Sequence, residues 1–357
     1  MRAVYRKLTS FAINIQTRKG LCYIQFEYKI SIIIPLYNVE QYVERAAKSI
    51  VSQKFNDSDI EVVIVDDGST DSSLDVCLKN LQDIKGINTV SIRQENKGLS
   101  AARNAGIHAA AGEYILFLDA DDFLLPNALK NICTALETEQ PDVLFGRYVM
   151  WRPGSGSRSK QEFSKHKPLT WQPPTDPKKR TEYILSELPE PSWNAWRYIC
   201  KRNFILSNNL YFEEGILCED VPWTLNLLEN AETISFLPEP FYAYYHRRTG
   251  SLLNSRNSEW FISLNKTIKK LLEEYRNRPI ICRQLINQSF LYINEYCTFA
   301  RQERMQILQA YKTILPMYKF SPSRLHHIVG KCRSSVLFWG LSFMMFLTKY
   351  LRRRLYG

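Results

Sequence analysis

The sequence predicts an α/β protein: a mostly parallel central sheet with helices on both faces, followed by a helical C-terminal region. Three observations carry this. Strand-like and helix-like segments alternate four times between Ile30 and Leu118, an order that implies parallel strands joined by right-handed crossovers. The strand segments are runs of β-branched and apolar residues, the pattern of buried strands. Polar residues collect at the carboxyl end of each strand, where open α/β sheets bind their ligands.

In order, ISIIIP from Ile30 is a strand stopped by Pro35, and VEQYVERAAKSIVSQ after Asn38 has helical periodicity. IEVVIV, residues 60–65, is a second strand, and the Gly-Ser-Thr-Asp turn after it opens a helix. TVSIRQ, residues 89–94, is a third, followed by the Ala-rich helix LSAARNAGIHAAAG, stopped at Gly112. Tyr114 to Leu118 is the fourth. PNALKNICTALE reads as a helix, residues 142–151 as a further strand, and Arg152 to Arg180, rich in Pro, Gly, Ser and Lys, as a long loop over the site. PSWNAWRYICKRNF sets Trp193 and Trp196 on one helix face, as core or as a platform for a sugar ring. FEEGILCEDVPWTLNLLENA turns into a helix with Pro222 in its first turn, TISFLPEPFYAYYHRRTGSL is a pair of short strands, and helices follow Asn254.

Of 357 residues and a net charge of +11, Arg301 to Gly357 holds eleven Lys and Arg against the single acid Glu303, leaving the first 300 residues nearly neutral. That distribution excludes a basic nucleic-acid groove in the body and points to an anionic membrane surface met by the C-terminal tail. The apolar stretch Val336 to Leu347 is too short to span a bilayer but suits a helix lying on one, the alternative being a buried C-terminal helix with a solvated end. Eight cysteines without C-x-x-C spacing read as reduced core residues of a cytoplasmic protein, peripheral at the inner face of the cell membrane. Residues 1–28 have no continuous apolar region that would make a secretory signal and read as an extension without a role in the fold.

The densest chemistry is Asp119-Ala120-Asp121-Asp122. Crowded carboxylates raise one another's pKa unless a cation holds them, and an oxygen-only donor set favours Mg²⁺ or Mn²⁺ over zinc. Asp119 and Asp121 point to one side of an extended segment, so that one can hold a ribose and the other a metal on a diphosphate, with Asp122 able to take over either task. Asp67 at the end of the second strand can accept a hydrogen bond from an imide N–H such as that of uracil, and Tyr37 can stack beside the ring. No G-x-G-x-x-G follows the first strand, which disfavours a dinucleotide site.

ISIIIPLYN, VDDGSTD, NKGLSAARNAGI, FLDADD and the later CED, in this order and spacing, resemble the family 2 inverting glycosyltransferases of the GT-A fold, of bacterial surface-polysaccharide type, over about Lys29 to Ser251. The resemblance implies a nucleotide-diphosphate sugar donor, typically UDP-linked, with Mg²⁺ or Mn²⁺ on the Asp-x-Asp aspartates. Pro35, Tyr37, Glu40, Asp67, Lys97 and Arg103 would line the nucleotide pocket, and Asp119, Asp121 and Asp122 the ribose and metal. The family's Glu-Asp pair falls on Glu219-Asp220, making Asp220 the base that deprotonates the acceptor hydroxyl in one inverting displacement, with Arg247 or Arg248 as the cation at the leaving phosphate.

The expected organisation is a leader at 1–28, a transferase domain at 29–255 and a helical region at 256–357. One Asp-x-Asp at a strand end and one Glu-Asp pair, with no multi-span membrane domain, favour addition of a single sugar to a glycan or lipid-linked glycan acceptor over processive synthesis. A sugar nucleotidyltransferase is the alternative enzyme, but it needs a Gly-rich phosphate loop where this chain has PLYNVE. A non-catalytic sugar-nucleotide-binding or membrane scaffold protein is the other alternative; it would be indifferent to loss of Asp220.

Overall fold

The computed structural model describes residues 14–18, 21–53, 59–82, 87–151, 173–187, 193–245, 258–290 and 306. The chain divides into two compact units interleaved along the sequence: residues 1–169, 194–214 and 230–246 form the first, and residues 170–193, 215–229 and 247–357 the second.

Two short strands, β1 (Asn14–Arg18) and β2 (Leu21–Gln25), pair with each other antiparallel and form a sheet of their own, so part of the expected leader is ordered as a hairpin. The main sheet begins with β3 (Tyr28–Leu36), followed by α1 (Glu40–Val51), β4 (Ile60–Asp66), α2 (Ser73–Leu81), β5 (Asn88–Arg93), α3 (Leu99–Ala109) and β6 (Gly112–Phe117). These four strands lie parallel in the order β5-β4-β3-β6, as the alternation predicts. Adjacent residues of β3 point to opposite faces, yet Ile32, Ile33 and Ile34 are all fully buried; both faces are covered. Each such side chain contributes about 1.5–3 kcal/mol by its burial. On one of those faces α3 approaches β3 at Gly106, where a Cβ would lie 2.3 Å from Ile33 Cγ2.

The sheet continues through β7 (Phe123–Leu124), β8 (Val143–Trp151), β9 (Tyr198–Lys201) and β10 (Ile234–Tyr245), to give the eight-stranded order β5-β4-β3-β6-β9-β8-β10-β7. Helix α4 (Ala128–Glu139) joins β7 to β8. Two expectations are corrected here. The segment around Trp193 and Trp196 is not one helix: a single 3₁₀ turn, Ala195–Arg197, leads into β9, which inserts antiparallel between β6 and β8. Tyr198, Ile199 and Cys200 are strand formers, all fully buried, and tertiary pairing on both sides overrides helical spacing. Both tryptophans are at most 3% exposed, which makes them core and leaves no face for a sugar. The expected pair of short strands at 234–245 is one long strand, β10, whose register against β8 breaks at Leu237/Pro240 and Pro240/Tyr242. Prolines without an N–H to give the ladder produce that irregularity.

In the second unit, α5 (Pro177–Glu187) starts inside the expected loop because Asp176 accepts a hydrogen bond from Lys179 N at 2.8 Å and caps it. Residues 152–172 lie outside the described residues. Further along the chain, α6 (Arg202–Ser207) belongs to the first unit, and α7 (Asp220–Asn230) supplies nearly all of its length to the second. Helices α8 (Ser258–Glu274) and α9 (Pro279–Phe290) match the helical region predicted after Asn254. Arg278 staples this unit together, donating from Nε to Glu182 at 2.5 Å and from Nη1 to Glu229 at 2.6 Å. The basic tail lies outside the described residues; among those described, no helix is long and apolar enough to cross a membrane.

Candidate active site

Parallel pairing sets Leu36 beside Asp66 and Asp66 beside Arg93, so the carboxyl ends of β3, β4 and β5 are level. After β3 the chain turns at Asn38, in the left-handed region at φ 49°. Its side-chain oxygen accepts from Thr70 N at 2.9 Å, Val39 N donates to Ser73 Oγ at 2.7 Å, and Glu40 N donates to Asp71 Oδ2 at 3.1 Å. In return Ser72 N donates to Glu40 Oε2 at 3.0 Å. Loops 37–40 and 69–73 are thereby clasped together, and Glu40 acts through the clasp. Tyr37, 50% exposed, stands clear of it with its ring open to a ligand.

Asp67 is 3% exposed and accepts from Gln94 Nε2 at 2.7 Å, Lys97 N at 2.9 Å and Gly98 N at 2.8 Å. Its carboxylate thus anchors the loop that feeds α3, and the side chain of Lys97 is exposed at the tip. Gly68 permits this: it sits at φ 79°, and a Cβ there would come 3.0 Å from Asn96 N. Pro35, expected in the nucleotide pocket, is the penultimate residue of β3 and pairs with Val65.

The Asp119 to Asp122 turn follows β6, and its three carboxylates differ. Asp119, its side chain 25% exposed, pairs with Arg103 Nη2 at 3.1 Å. Arg103 is 1% exposed, with its guanidinium 5.2 Å from the Phe212 ring and 5.9 Å from Phe117. The carbonyl oxygen of Asp121 accepts from Arg45 Nη2 at 2.6 Å. Asp122 is 1% exposed and accepts from Tyr242 Oη and from Tyr245 N, both at 2.7 Å. Burial first, then the charges of Asp121 and Asp119, holds the Asp122 carboxyl well above the usual carboxylate range. The Tyr242 hydroxyl also accepts from Asp119 N at 3.2 Å, linking both ends of the turn to β10. Among the described residues no three His, Cys, Asp or Glu side chains gather as a metal cage.

Sequence reasoning did not single out Arg45, Tyr242 or Tyr245. No local signal marks them, because each meets the aspartates from an element distant in the chain.

Glu219 and Asp220 belong to the second unit. Asp220 is half-buried and is the first residue of α7, with Pro222 in the first turn as the sequence suggests. Val221 N donates to Cys218 O at 3.1 Å and Trp223 N to Glu219 O at 3.3 Å. Cys218, just before the pair, sits at φ 60°, a left-handed conformation that is uncommon outside glycine and concentrates at functional sites. Arg247 and Arg248 lie outside the described residues.

Residues 31–197 match the family model described as "Glycosyl transferase family 2". Over 293 residues, 77% of this chain and 80% of the other, the sequence is 26% identical to the Escherichia coli (strain K12) protein named "Uncharacterized glycosyltransferase YibD". It is 28% identical over 228 residues to the poly(ribitol-phosphate) beta-N-acetylglucosaminyltransferase TarS of Staphylococcus aureus, covering 64% of this chain but 37% of TarS. The crystal structure of TarS 1–349 in complex with UDP-GlcNAc is similar at a TM-score of 0.62 and 23% identity, over 82% of each chain. A mannosyltransferase from Pyrobaculum calidifontis in complex with GDP-Man and Mn²⁺ is similar at a TM-score of 0.52 and 14% identity, over 93% of this chain and 88% of that one. At these identities the structural likenesses establish the GT-A fold.

Proposed function

Since this chain belongs to glycosyl transferase family 2 and is a glycosyltransferase, we propose that it moves a single sugar from a UDP-linked donor to a hydroxyl of a glycan or lipid-linked glycan. The observation that carries this reading is the level row of strand ends in the first unit, where Tyr37, Lys97 and the 119–122 turn share one edge of the sheet. TarS, similar in fold, is named a poly(ribitol-phosphate) beta-N-acetylglucosaminyltransferase and was crystallised with UDP-GlcNAc, which supports a UDP-sugar donor and a glycan acceptor.

In this reading Tyr37 stacks on the base, while Asp67 acts from behind through the loop it holds, presenting Lys97 to the phosphates. Asp119 and Asp121 would hold Mg²⁺ or Mn²⁺, since their oxygen-only donor set is the kind that hard cations prefer. Asp122, sealed by two donors, supports the turn. Bound there, such an ion would supply charge stabilisation at the departing diphosphate. Asp220 takes the proton of the acceptor hydroxyl as its oxygen attacks the anomeric carbon opposite the leaving group, and configuration inverts. Arg247 or Arg248 adds a cation for the leaving phosphate.

Residues 29–255 are proposed as the transferase domain and the basic tail as a contact with anionic lipid at the inner membrane face. Deleting the chain after Lys331 should release the protein from anionic liposomes; unchanged binding would remove the membrane assignment. The donor is tested by screening nucleotide sugars with and without Mn²⁺. Metal-dependent binding or hydrolysis of a UDP-sugar is the expected result, and a preference for another nucleotide class, or for none, would refute it.

A further inference from the structure

Arg45 is used by nothing in the reaction as described, yet its surroundings are specific. Its guanidinium lies 4.4 Å from the ring centroid of Trp151, 4.5 Å from Tyr245 and 4.8 Å from Phe123. These rings come from the ends of β8 and β10 and from β7, and they brace one another: Trp151 meets Tyr245 edge-on at 4.8 Å and Phe123 at 5.7 Å. A guanidinium walled by three π-faces is held in position and direction, because each ring attracts the cation along its own normal. Its Nε is buried without a hydrogen-bond partner, so the polar contact this cage secures is the one from Nη2 to the Asp121 carbonyl at 2.6 Å.

The 119–122 turn is thereby fixed at three points. Arg103 holds Asp119, Tyr242 and Tyr245 hold Asp122, and Arg45 holds the main chain of Asp121 from α1. Gripping the carbonyl fixes where the Asp121 side chain starts.

The geometry points to Arg45, caged by Phe123, Trp151 and Tyr245, as the positioning residue that sets Asp121 for the divalent cation. This rests on the reading of Asp119 and Asp121 as metal carboxylates. Groups that orient metal ligands cost roughly 10- to 100-fold in affinity or activity when removed. Lysine cannot replace the arginine fully, since it lacks the flat fork that lies among rings while donating sideways.

The test is Mn²⁺ titration of the full chain with UDP present, alongside UDP binding in EDTA, for the parent, Arg45→Met and Arg45→Lys. Arg45→Met should raise the Mn²⁺ Kd roughly 10- to 100-fold, with UDP binding in EDTA unchanged and kcat lowered more than KM is raised; Arg45→Lys should fall between it and the parent. Parent-like Mn²⁺ affinity in Arg45→Met overturns the assignment, as does an equal loss of UDP binding in EDTA. If the parent itself binds no Mn²⁺, the metal reading fails and this inference with it, whereas a parent that binds beside an equally competent variant sinks the Arg45 role alone. Should Arg45→Met not fold, Trp151→Leu decides: weaker Mn²⁺ binding with Arg45 still present supports the cage, and parent-like affinity refutes it.

Discussion

Asp67 shows how one carboxylate can shape a proposed ligand pocket while facing into the protein. Its three donors are Gln94 Nε2 and the amides of Lys97 and Gly98. Asp67→Asn keeps an acceptor but turns one carboxylate oxygen into a donor that faces a donor. A cost of about 1–3 kcal/mol in stability follows from the orphaned buried group, together with weaker nucleotide binding; urea denaturation and UDP titration check the two parts. Parent-like stability would contradict the anchoring role. The sequence marked Asp67 correctly as a strand-end carboxylate, but its spacing carries no information about which way the side chain points. The same holds for the aspartate cluster: three acids in four residues were legible, whereas the division of labour among them depends on Arg103, Arg45 and Tyr242, which lie far away in the chain.

Among the elements, those with an uninterrupted pattern were readable and those made by long-range pairing were not. The four parallel strands and their helices follow from β-branched runs and helical periodicity, and they recur in the fold within a residue or two at most strand ends. β9 was hidden because a four-residue strand between β6 and β8 draws its stability from neighbours rather than from its own spacing. The packing of α3 on β3 offers a direct check. Gly106→Ala places a Cβ 2.3 Å from Ile33 Cγ2 and should destabilise by about 1–3 kcal/mol through overpacking. Combined with Ile33→Ala, which alone leaves a cavity, the loss should be less than the sum of the two. Strict additivity in thermal denaturation would contradict this packing.

Across the chain, the residues that the sequence singles out fall in both units. The sheet of the first carries Tyr37, Lys97 and the aspartate turn, while in the second Glu219 precedes α7 and Asp220 is its first residue. The segments that the family motifs leave open are split between the units: residues 152–169 fall in the first, and residues 170–180 with the helical C-terminal region in the second. The sequence offers no motif that marks an acceptor surface, and the basic tail lies outside the described residues. The central claim is that transfer is one inverting displacement with Asp220 as its base. Its most direct test is the transfer rate of Asp220→Asn beside its affinity for the UDP-sugar. Loss of a general base should lower transfer roughly 100- to 10,000-fold with donor affinity unchanged; transfer at the parent rate would contradict it.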